Sequence, residues 1–393
     1  MTTVMNVGAS TASDARTAGQ EAARTIMEGI GDCRPQLCIL LASASYDLPA
    51  VLEEVRKLTG DTPLMGCSTS SQFTRAGVTQ RGVSLALIAS DEMEVRLTCV
   101  EDWATSPTES VKTALKSLSG AQRRSDTLDW RGRTLMLVAD GLRGGIESLV
   151  EQFNLQASMS YQIFGSVAAD DITFDRTTVF HGDRVHTGAF VAAEILSPKP
   201  FGIGYGHGWK SASEPLRVTR CDGARLLEIN GRPAWEAYET YARRRGVTIP
   251  EGGEQAFLIG NVLGLPSEST YKLRVPLGKN ADGSLNMAVE LHEGEVVEIM
   301  EPDAQEMVSC GASSLEAGMT SIRPSECAGG LVIECAATQL QLGDGYTGLI
   351  TEMLERSPEL PILGGASYGQ VVRTLGGISG VSCASSVACL VPR

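Results

Sequence analysis

The sequence is poor in histidine, in aromatic residues and in positive charge. Its 393 residues include four histidines and 5% aromatic residues, and 33 Lys plus Arg stand against 47 Asp plus Glu, for a formal net charge of -14. Nucleic acids and anionic membranes are bound mainly through Lys and Arg. The charge balance therefore argues against both as partners.

Long hydrophobic runs and paired cysteine motifs are also missing. Apolar runs such as Leu37 to Ala42 are far shorter than the roughly 20 residues of a membrane-spanning helix. The first residues do not show the basic start and apolar run of a signal peptide. None of the ten cysteines forms a Cys-x-x-Cys pair, so a zinc ribbon or thioredoxin-type site is unsupported. With 42% hydrophobic residues, the sequence predicts a globular, cytoplasmic protein with a large core.

One pattern occurs three times along the chain. An apolar run is followed by a helical stretch, a short strand with glycine and small residues at its end, and a closing strand. The glycine-containing segments are Pro63 to Thr69, Gln162 to Ser166 and Pro361 to Ser367. This pattern predicts an α/β fold of repeated strand-helix-strand units on mixed, largely buried β-sheets covered by helices. The glycines either pack at turns or face a ligand, and both interpretations stay open.

The segment between about residues 201 and 310 has a different pattern. A turn at Asn280 to Gly283 between two strand-like runs predicts a hairpin. Leu226 to Tyr241 is predicted to be one helix. A boundary near Ser197 to Pro200 divides the chain into two packed halves, residues 1–200 and 201–393.

A Gly-x-Ser-x-Gly string at Gly365 to Gly369 is the best match to a catalytic motif. In a hydrolase, Ser367 would be the nucleophile, and the acid and histidine would follow it in the chain. The last histidine is His292, well before Ser367, so this order is excluded. The glycine-rich run Gly202 to Gly208 departs from the dinucleotide fingerprint as well.

His207 has unusual neighbours among the four histidines. It lies between Gly206 and Gly208, with Tyr205 and Trp209 one position further out. Flanking glycines leave room for a large flat ligand, and aromatic rings can pack against one. The alternative is a histidine held by hydrogen bonds at the end of a strand. The other three histidines are expected to be exposed at turns.

Several short motifs resemble the FIST family, whose members have an N-terminal and a C-terminal FIST domain. Those in the N-terminal half are Gly66-Cys67-Ser68-Thr69, Phe164 to Asp171, and Thr178-Val179-Phe180 leading to Gly188-Ala189. Those in the C-terminal half are His207-Gly208-Trp209-Lys210, Val218-Thr219, Ile229 to Ala234 with Tyr238, Cys335, and Gly364 to Gly369. The resemblance covers most of the chain and implies a FIST N-terminal domain over 1–200 and a FIST C-terminal domain over 201–393.

The resemblance implies a non-catalytic cytoplasmic sensor of a small-molecule or gas ligand that acts on a separate histidine kinase or cyclic-di-GMP enzyme. One subset of the family resembles nitric-oxide-sensing proteins with b-type haem. His207 would then be the axial ligand of the iron, flanked by Tyr205 and Trp209, with His181 and His186 as the next candidates. The expected ligand-binding residues are Gly66, Cys67, Ser68, Gly165, Cys335, Gly365, Ser367 and Tyr368.

Three positions depart from the family pattern: Gln72, Thr338 and Gln370 stand where an acidic residue, an arginine and a glutamate are expected. A ligand that depends on that charge pair would be affected. One alternative function is a small-molecule enzyme with a site at Cys67, Asp170, Asp171 and Cys335. Others are an amino-acid-binding sensor without haem and a purely structural interaction module.

Overall fold

Three units with the same order of elements follow one another in the chain. The structure is a computed structural model, and it describes residues 3–31, 33–118, 132–157, 159–320, 322–374 and 377–393. Unit 1 contains β1 (Val4–Ser10), α1 (Ala15–Met27), β2 (Pro35–Ala42), α2 (Leu48–Thr59), β3 (Leu64–Ser68), β4 (Ser71–Thr74), β5 (Gly77–Thr79) and β6 (Val83–Ala89). Unit 2 contains β7 (Glu94–Glu101), α3 (Pro107–Ser117), β8 (Gly132–Ala139), α4 (Ile146–Gln156), β9 (Tyr161–Val167), β10 (Val179–His181), β11 (Arg184–His186) and β12 (Ala189–Ser197).

Unit 3 is interrupted by an insertion, residues 207–303. The unit begins with β13 (Gly202–Gly206). The insertion contains β14 (Trp209–Ser211), β15 (Leu216–Asp222), β16 (Arg225–Ile229), β17 (Arg232–Pro233), α5 (Ala234–Arg245), α6 (Glu254–Ile259), β18 (Leu263–Ser267), β19 (Thr270–Arg274), β20 (Pro276–Lys279), β21 (Leu285–Met287) and β22 (Val296–Pro302). Unit 3 resumes with α7 (Ala304–Met319), β23 (Cys327–Cys335), α8 (Ala336–Leu342), α9 (Tyr346–Glu355), β24 (Ile362–Ser367), β25 (Gly369–Arg373), β26 (Ser379–Ser382) and β27 (Ser386–Pro392).

The three units exchange hairpins in a ring. Sheet 1 has the order β1-β6-β2-β3-β10-β11, sheet 2 the order β26-β25-β9-β8-β12-β7, and sheet 3 the order β13-β27-β23-β24-β4-β5. Each sheet therefore consists of four strands from its own unit and a hairpin from another. The hairpin of unit 1 completes sheet 3, that of unit 2 completes sheet 1, and that of unit 3 completes sheet 2. Each unit is thus held by backbone hydrogen bonds to both of the others.

A glycine occupies the same register in each unit. Gly66 pairs with Leu40, Gly165 with Leu137 and Gly364 with Val332 in the parallel strand pairs. A Cβ atom at Gly66 or Gly165 would lie 1.8 or 2.1 Å from the facing carbonyl oxygen. These glycines lie within the second strand rather than after it, and close packing of neighbouring strands requires them.

The apolar faces of the three sheets meet in one central core, and the helices cover the outer faces. Ile39, Met136, Phe164, Ile333 and Leu363 are among the buried residues of this core. Helix α2 is an example of a helix that covers the outer face of a sheet. Asp47 accepts a hydrogen bond from the backbone N–H of Ala50 at 3.2 Å and so caps the helix start. Apolar residues spaced three to four apart then face sheet 1.

The insertion forms a fourth sheet with its own core. Its central order is β19-β18-β22-β15-β16-β21-β20. Trp235 and Tyr238 of α5 pack onto this sheet. They share a buried cluster with Leu226, Leu263 and Ile299 of its strands. The insertion follows β13 and ends before α7, so it lengthens unit 3 without interrupting the strands of sheet 3.

The structure confirms the α/β class and the three repeated units. It corrects the helix predicted over Leu226 to Tyr241, because β16 ends at Ile229 and α5 begins only at Ala234. Asn230 and Gly231 separate them in left-handed conformations, with φ of 53° and 74°. The division at residue 200 falls between β12 and β13 and stays a prediction. Within the described ranges, no helix has the length and apolar character that a membrane crossing requires.

Candidate functional site

A cleft of about 640 Å³ opens in the insertion, between α5 and the strands beside it. This volume lies in the range of small-molecule sites, which is roughly 300–1,000 Å³. We call it the arginine cleft. Its lining residues are Ser211, Ala212, Ser213, Glu214, Leu216, Ile229, Asn230, Arg232, Glu236, Ala237, Thr240, Tyr241, Arg244, Arg245 and Ile299.

One wall of the cleft is a single face of α5. Glu236, Thr240 and Arg244 are spaced four residues apart, so they lie above one another on the helix. The opposite face of α5 carries Trp235 and Tyr238, which are buried in the core of the insertion. The packing of the apolar face therefore turns this polar row towards the cleft.

The tight turn between β16 and β17 forms the rim of the cleft. The side-chain oxygen of Asn230 accepts a hydrogen bond from the backbone N–H of Arg217 at 2.8 Å. The N–H of Gly231 donates to the hydroxyl of Thr219 at 2.9 Å. Both turn residues have positive φ, which Asn and Gly adopt at low cost. The turn fixes the start of β17 and with it the position of Arg232.

The arginines of the cleft differ in their partners. Arg245 binds Glu301 through Nε at 2.8 Å, and the hydroxyl of Tyr241 donates to the same carboxylate. Burial and this bond raise the pKa of Tyr241 above its usual range, so its hydroxyl stays protonated. Arg232 has a long contact of 3.8 Å to Glu236, and both side chains are exposed. Arg244 makes no ion pair within the described part of the chain.

This arrangement suits a ligand with negative charge. A guanidinium group binds a carboxylate or a phosphate through two parallel hydrogen bonds. Arg232 and Arg244 come from two different elements and have no strong acidic partner. Glu214 and Glu236 also line the cleft, so a ligand with an additional donor group finds acceptors there.

The residues predicted to bind a ligand from the glycine motifs lie in the three main sheets and not in the arginine cleft. Seven of them are buried in strands: Gly66, Cys67, Ser68, Gly165, Cys335, Gly365 and Ser367. Burial raises the pKa of the Cys67 thiol to about 12. The hydroxyl of Ser367 donates to the carbonyl of Gly369 at 2.9 Å. Their role in ligand binding stays a prediction.

Tyr368, the eighth of these residues, contacts a loop organised by Asp170. The Asp170 carboxylate accepts hydrogen bonds from four backbone N–H groups between residues 173 and 176 and from the Tyr368 hydroxyl. Burial opposes ionisation of Asp170, but the Tyr368 and backbone bonds prevail and lower its pKa to about 2. The Phe174 ring stacks on Tyr368 with centroids 4.6 Å apart. Asp170 therefore holds a loop in place.

The residues of the alternative enzyme site bind separate partners. The Asp171 carboxylate accepts a hydrogen bond from Ser43 at 2.8 Å. The Cys67 sulfur lies 3.6 Å from the Ser166 hydroxyl. Burial raises the pKa of Cys335 as well. Both thiols are therefore protonated near neutral pH, unlike the thiolate that a cysteine nucleophile requires.

His207 is half-buried, and both of its ring nitrogens have partners within the protein. Its Nε2 lies 3.1 Å from the Thr270 hydroxyl, and its Nδ1 accepts a hydrogen bond from the Trp209 backbone N–H at 3.2 Å. Burial lowers the His207 pKa to about 4. A Cβ at Gly206 or Gly208 would lie 2.6 or 2.2 Å from the α7 backbone. Helix α7 therefore fills the space that the glycines were expected to leave for haem.

The aromatic neighbours of His207 are also engaged within the protein. The Tyr205 hydroxyl donates to the carbonyl of Tyr271 at 2.7 Å, and the Trp209 indole N–H donates to the carbonyl of Ala384 at 3.0 Å. His181 and His186, the next candidates, are half-buried on the hairpin β10–β11 rather than exposed as expected. His292 is the exposed histidine among the four, and its Nε2 lies 3.1 Å from a carboxylate oxygen of Glu151.

Sequence reasoning missed the arginine cleft, although its signals were present. The Asn230-Gly231 pair is typical of a tight turn between strands. The spacing of Glu236, Thr240 and Arg244 is typical of one polar helix face. The helix predicted over Leu226 to Tyr241 placed the Asn230-Gly231 turn inside a helix and ended before Arg244, so neither signal was recognised.

Two solved structures that resemble the chain are cyanuric acid hydrolases, one of them from A. caulinodans. Their sequence identity to this chain is 8% in each case. The first match covers 100% of both chains with a TM-score of 0.35. The second covers 100% of this chain and 99% of the other with a TM-score of 0.30. TM-scores of this size do not establish a shared fold.

The function expected from the resemblance is corrected. That function was a non-catalytic sensor that binds a small ligand or b-type haem, with His207 as the axial ligand for nitric oxide sensing, and that regulates a separate partner such as a histidine kinase or cyclic-di-GMP enzyme. Both ring nitrogens of His207 have partners inside the protein, and α7 occupies the space beside it. The expected absence of catalytic activity, taken by itself, stays a prediction.

The curated relatives are distant. A protein of Mycobacterium tuberculosis named "Uncharacterized protein MT0656" is 24% identical over 342 residues, which is 84% of this chain and 85% of that protein. Another, "Uncharacterized protein MJ1623" of Methanocaldococcus jannaschii, is 30% identical over 84 residues, which is 21% of this chain and 16% of that protein.

Two family models match the chain one after the other. The FIST N domain matches residues 36–232, and the FIST C domain matches residues 234–373. Together they cover most of the three main sheets and the residues of the arginine cleft, whereas β1, β26 and β27 lie outside the matched ranges. The chain belongs to the FIST family.

Proposed function

We propose that this FIST protein binds a small anionic molecule, one that carries carboxylate or phosphate groups, in the arginine cleft. The observation that carries the proposal is the presence of Arg232 and Arg244 in one cleft of about 640 Å³ without a strong acidic partner. Both guanidinium groups are exposed to solvent, so an anionic ligand can reach them and form charge-assisted hydrogen bonds. Membership of the FIST family supports a sensory role in broad terms.

The charge of the whole chain sharpens this proposal. A net charge of -14 repels anions at long range, so binding depends on the local arginines. Added salt screens the long-range repulsion as well as the local attraction. The decisive evidence is therefore the effect of single arginine substitutions and not the salt dependence.

We also propose a cytoplasmic location. Cys38, Cys67 and Cys335 are free thiols buried in the sheets. Free cysteines persist in a reducing compartment, whereas disulfides are typical of secreted proteins.

Isothermal titration calorimetry with citrate and with inorganic phosphate tests the proposed binding. Arg244→Gln removes a charge that lines the cleft. Arg243→Gln removes a neighbouring charge of the same last turn of α5 that does not line it. A hydrogen bond to a charged group contributes about 1.5–3 kcal/mol, so we expect Arg244→Gln to weaken binding about 10- to 100-fold. Arg243→Gln is expected to bind like the wild type.

Spermidine, a small organic cation, is the control ligand, and we expect it to give no saturable heat of binding. Equal affinity for citrate in Arg244→Gln and Arg243→Gln would contradict the proposal. Absence of binding for both citrate and phosphate in the wild type would also contradict it.

A further inference from the structure

Three potential metal ligands meet where sheet 1 and sheet 2 come together at their edges. Cys99 lies on β7, the edge strand of sheet 2, and His181 and His186 lie on the hairpin β10–β11 at the edge of sheet 1. The sulfur of Cys99 and one ring nitrogen of each histidine all lie within 4.8 Å of one another. All three residues are half-buried.

The antiparallel hairpin explains why the two histidines are close. His181 pairs with Arg184 and Val179 pairs with His186, so the histidines are diagonal neighbours two positions apart. Their ring centroids are 6.2 Å apart. Strand β12 pairs with β7 and places Cys99 opposite Val191. The fold, and not the sequence spacing, thus brings Cys99 to the two histidines.

One ring nitrogen of His186 has a hydrogen-bond partner, and the other has none among the described residues. Its Nδ1 lies 2.8 Å from a carboxylate oxygen of Glu101, which is two residues from Cys99 on β7. An ionised carboxylate only accepts hydrogen bonds, so in the neutral ring Nδ1 carries the proton and Nε2 presents a lone pair. This Nε2 is buried and has no hydrogen-bond partner among the described residues. Metal-ligating histidines almost always donate their other ring N–H to a carboxylate, a backbone carbonyl or water, and Glu101 is such a carboxylate.

We propose that Cys99, His181 and His186 bind a Zn²⁺ ion, with Glu101 orienting His186. Thiolate and imidazole ligands favour Zn²⁺ over Mg²⁺ and Ca²⁺, which prefer oxygen. Three protein ligands leave one position of a tetrahedral site for water or another ligand. The ion joins the hairpin of unit 2 to the edge of sheet 2.

Titration with Co²⁺, a spectroscopic probe that replaces Zn²⁺, tests this site in the full-length protein after removal of metals. We expect one Co²⁺ per chain, with the visible bands of tetrahedral cobalt and a thiolate-to-cobalt charge-transfer band. Added Zn²⁺ is expected to abolish both signals by displacement. Failure to bind Co²⁺, or octahedral bands without a charge-transfer band, would overturn the proposal.

Matched variants test the assignment of each residue. Cys99→Ser is expected to lose the charge-transfer band, whereas Cys221→Ser, at another half-buried cysteine, is expected to keep it. A band that persists in Cys99→Ser would overturn the assignment. Circular dichroism shows whether each variant is folded.

Glu101→Gln provides a test that does not depend on a buried substitution, because the side chain of Glu101 is 66% exposed. Loss of a carboxylate that orients a ligating histidine lowers metal affinity, and we expect at least about a 10-fold loss for Zn²⁺. Unchanged Zn²⁺ affinity in both Glu101→Gln and His186→Gln would overturn the proposal.

Discussion

Glu334 is a fully buried carboxyl group in the interior of unit 3. It lies on β23 beneath α7 and α9, close to Gly311 and to the buried hydroxyl of Tyr346. Neither carboxyl oxygen has a hydrogen-bond partner among the described residues, and the nearby Ser386 hydroxyl pairs with Ser314 at 2.8 Å. Burial raises the pKa of Glu334 to about 8. The folded protein therefore holds this group in its neutral form near neutral pH.

This group makes stability depend on pH. Between about pH 4.5 and pH 8 the folded protein keeps a proton that the unfolded chain has released. Its contribution to stability is complete below about pH 4.5 and is lost as the pH rises through about 8. Over this interval we expect the free energy of unfolding of the wild type to fall by roughly a few kcal/mol. Glu334→Gln lacks the ionisable group and is expected not to show this decrease.

Urea unfolding at about pH 5 and about pH 8 measures this effect, with exposed Glu355→Gln as the control. The wild type and Glu355→Gln are expected to lose more stability between the two pH values than Glu334→Gln does. The same pH dependence in all three proteins would show that Glu334 does not have the raised pKa.

His207 shows at the level of a single residue why a site can be misjudged from sequence. Its glycine and aromatic neighbours predict open space beside the imidazole ring. The backbone that fills this space belongs to α7, about 100 residues later in the chain. No local pattern contains that information, because the insertion separates the two segments.

Among the elements, the strands and helices of the repeated units were predictable, but their partners were not. The stretches around Leu48 and Ile146 show helical spacing and are helices. The exchanged hairpins β4–β5, β10–β11 and β25–β26 are short, and some contain buried polar residues such as Ser71 and Gln72. Their partners are determined by closure of the ring, which is a long-range property of the chain.

Substitution of glycine by alanine is expected to destabilise the protein within a buried strand and to stabilise it on an exposed helix face. A Cβ at Gly165 on β9 would lie 2.1 Å from the carbonyl oxygen of Leu137, so Gly165→Ala forces two strands apart. Gly348 lies on the exposed face of α9, and no described atom lies within 4 Å of a Cβ there. Since alanine favours a helix, we expect Gly348→Ala to stabilise the protein by about 0.5–1 kcal/mol.

Thermal and urea unfolding compare the two variants with the wild type. We expect Gly165→Ala to be destabilised by at least about 1–3 kcal/mol. A stable Gly165→Ala, or a Gly348→Ala that is destabilised to a similar extent, would contradict the description of the strand packing.

For the whole molecule, the sequence revealed repetition but not the relation between the repeats. Apolar periodicity was sufficient for three strand-helix-strand units, since buried sheets and covering helices have distinct patterns. The ring of exchanged hairpins depends on contacts between strands as far apart as β4 and β24. The arginine cleft arises in the insertion that interrupts the third unit, where neither repetition nor a catalytic motif directs attention.

The distribution of charge connects the fold to the proposed function. An acidic chain of net charge -14 carries arginines on the last turn of α5 and at the β16–β17 turn. Their positions are determined by a buried helix face and a glycine-containing turn. The cleft is therefore a property of the scaffold and exists before a ligand binds.

The most direct test of the central claim is a crystal structure of the protein in complex with citrate, at a concentration chosen from the calorimetric affinity. We predict that citrate occupies the arginine cleft and that its carboxylates contact the guanidinium groups of Arg232 and Arg244. Citrate bound elsewhere, with the arginine cleft empty, would contradict the proposed function.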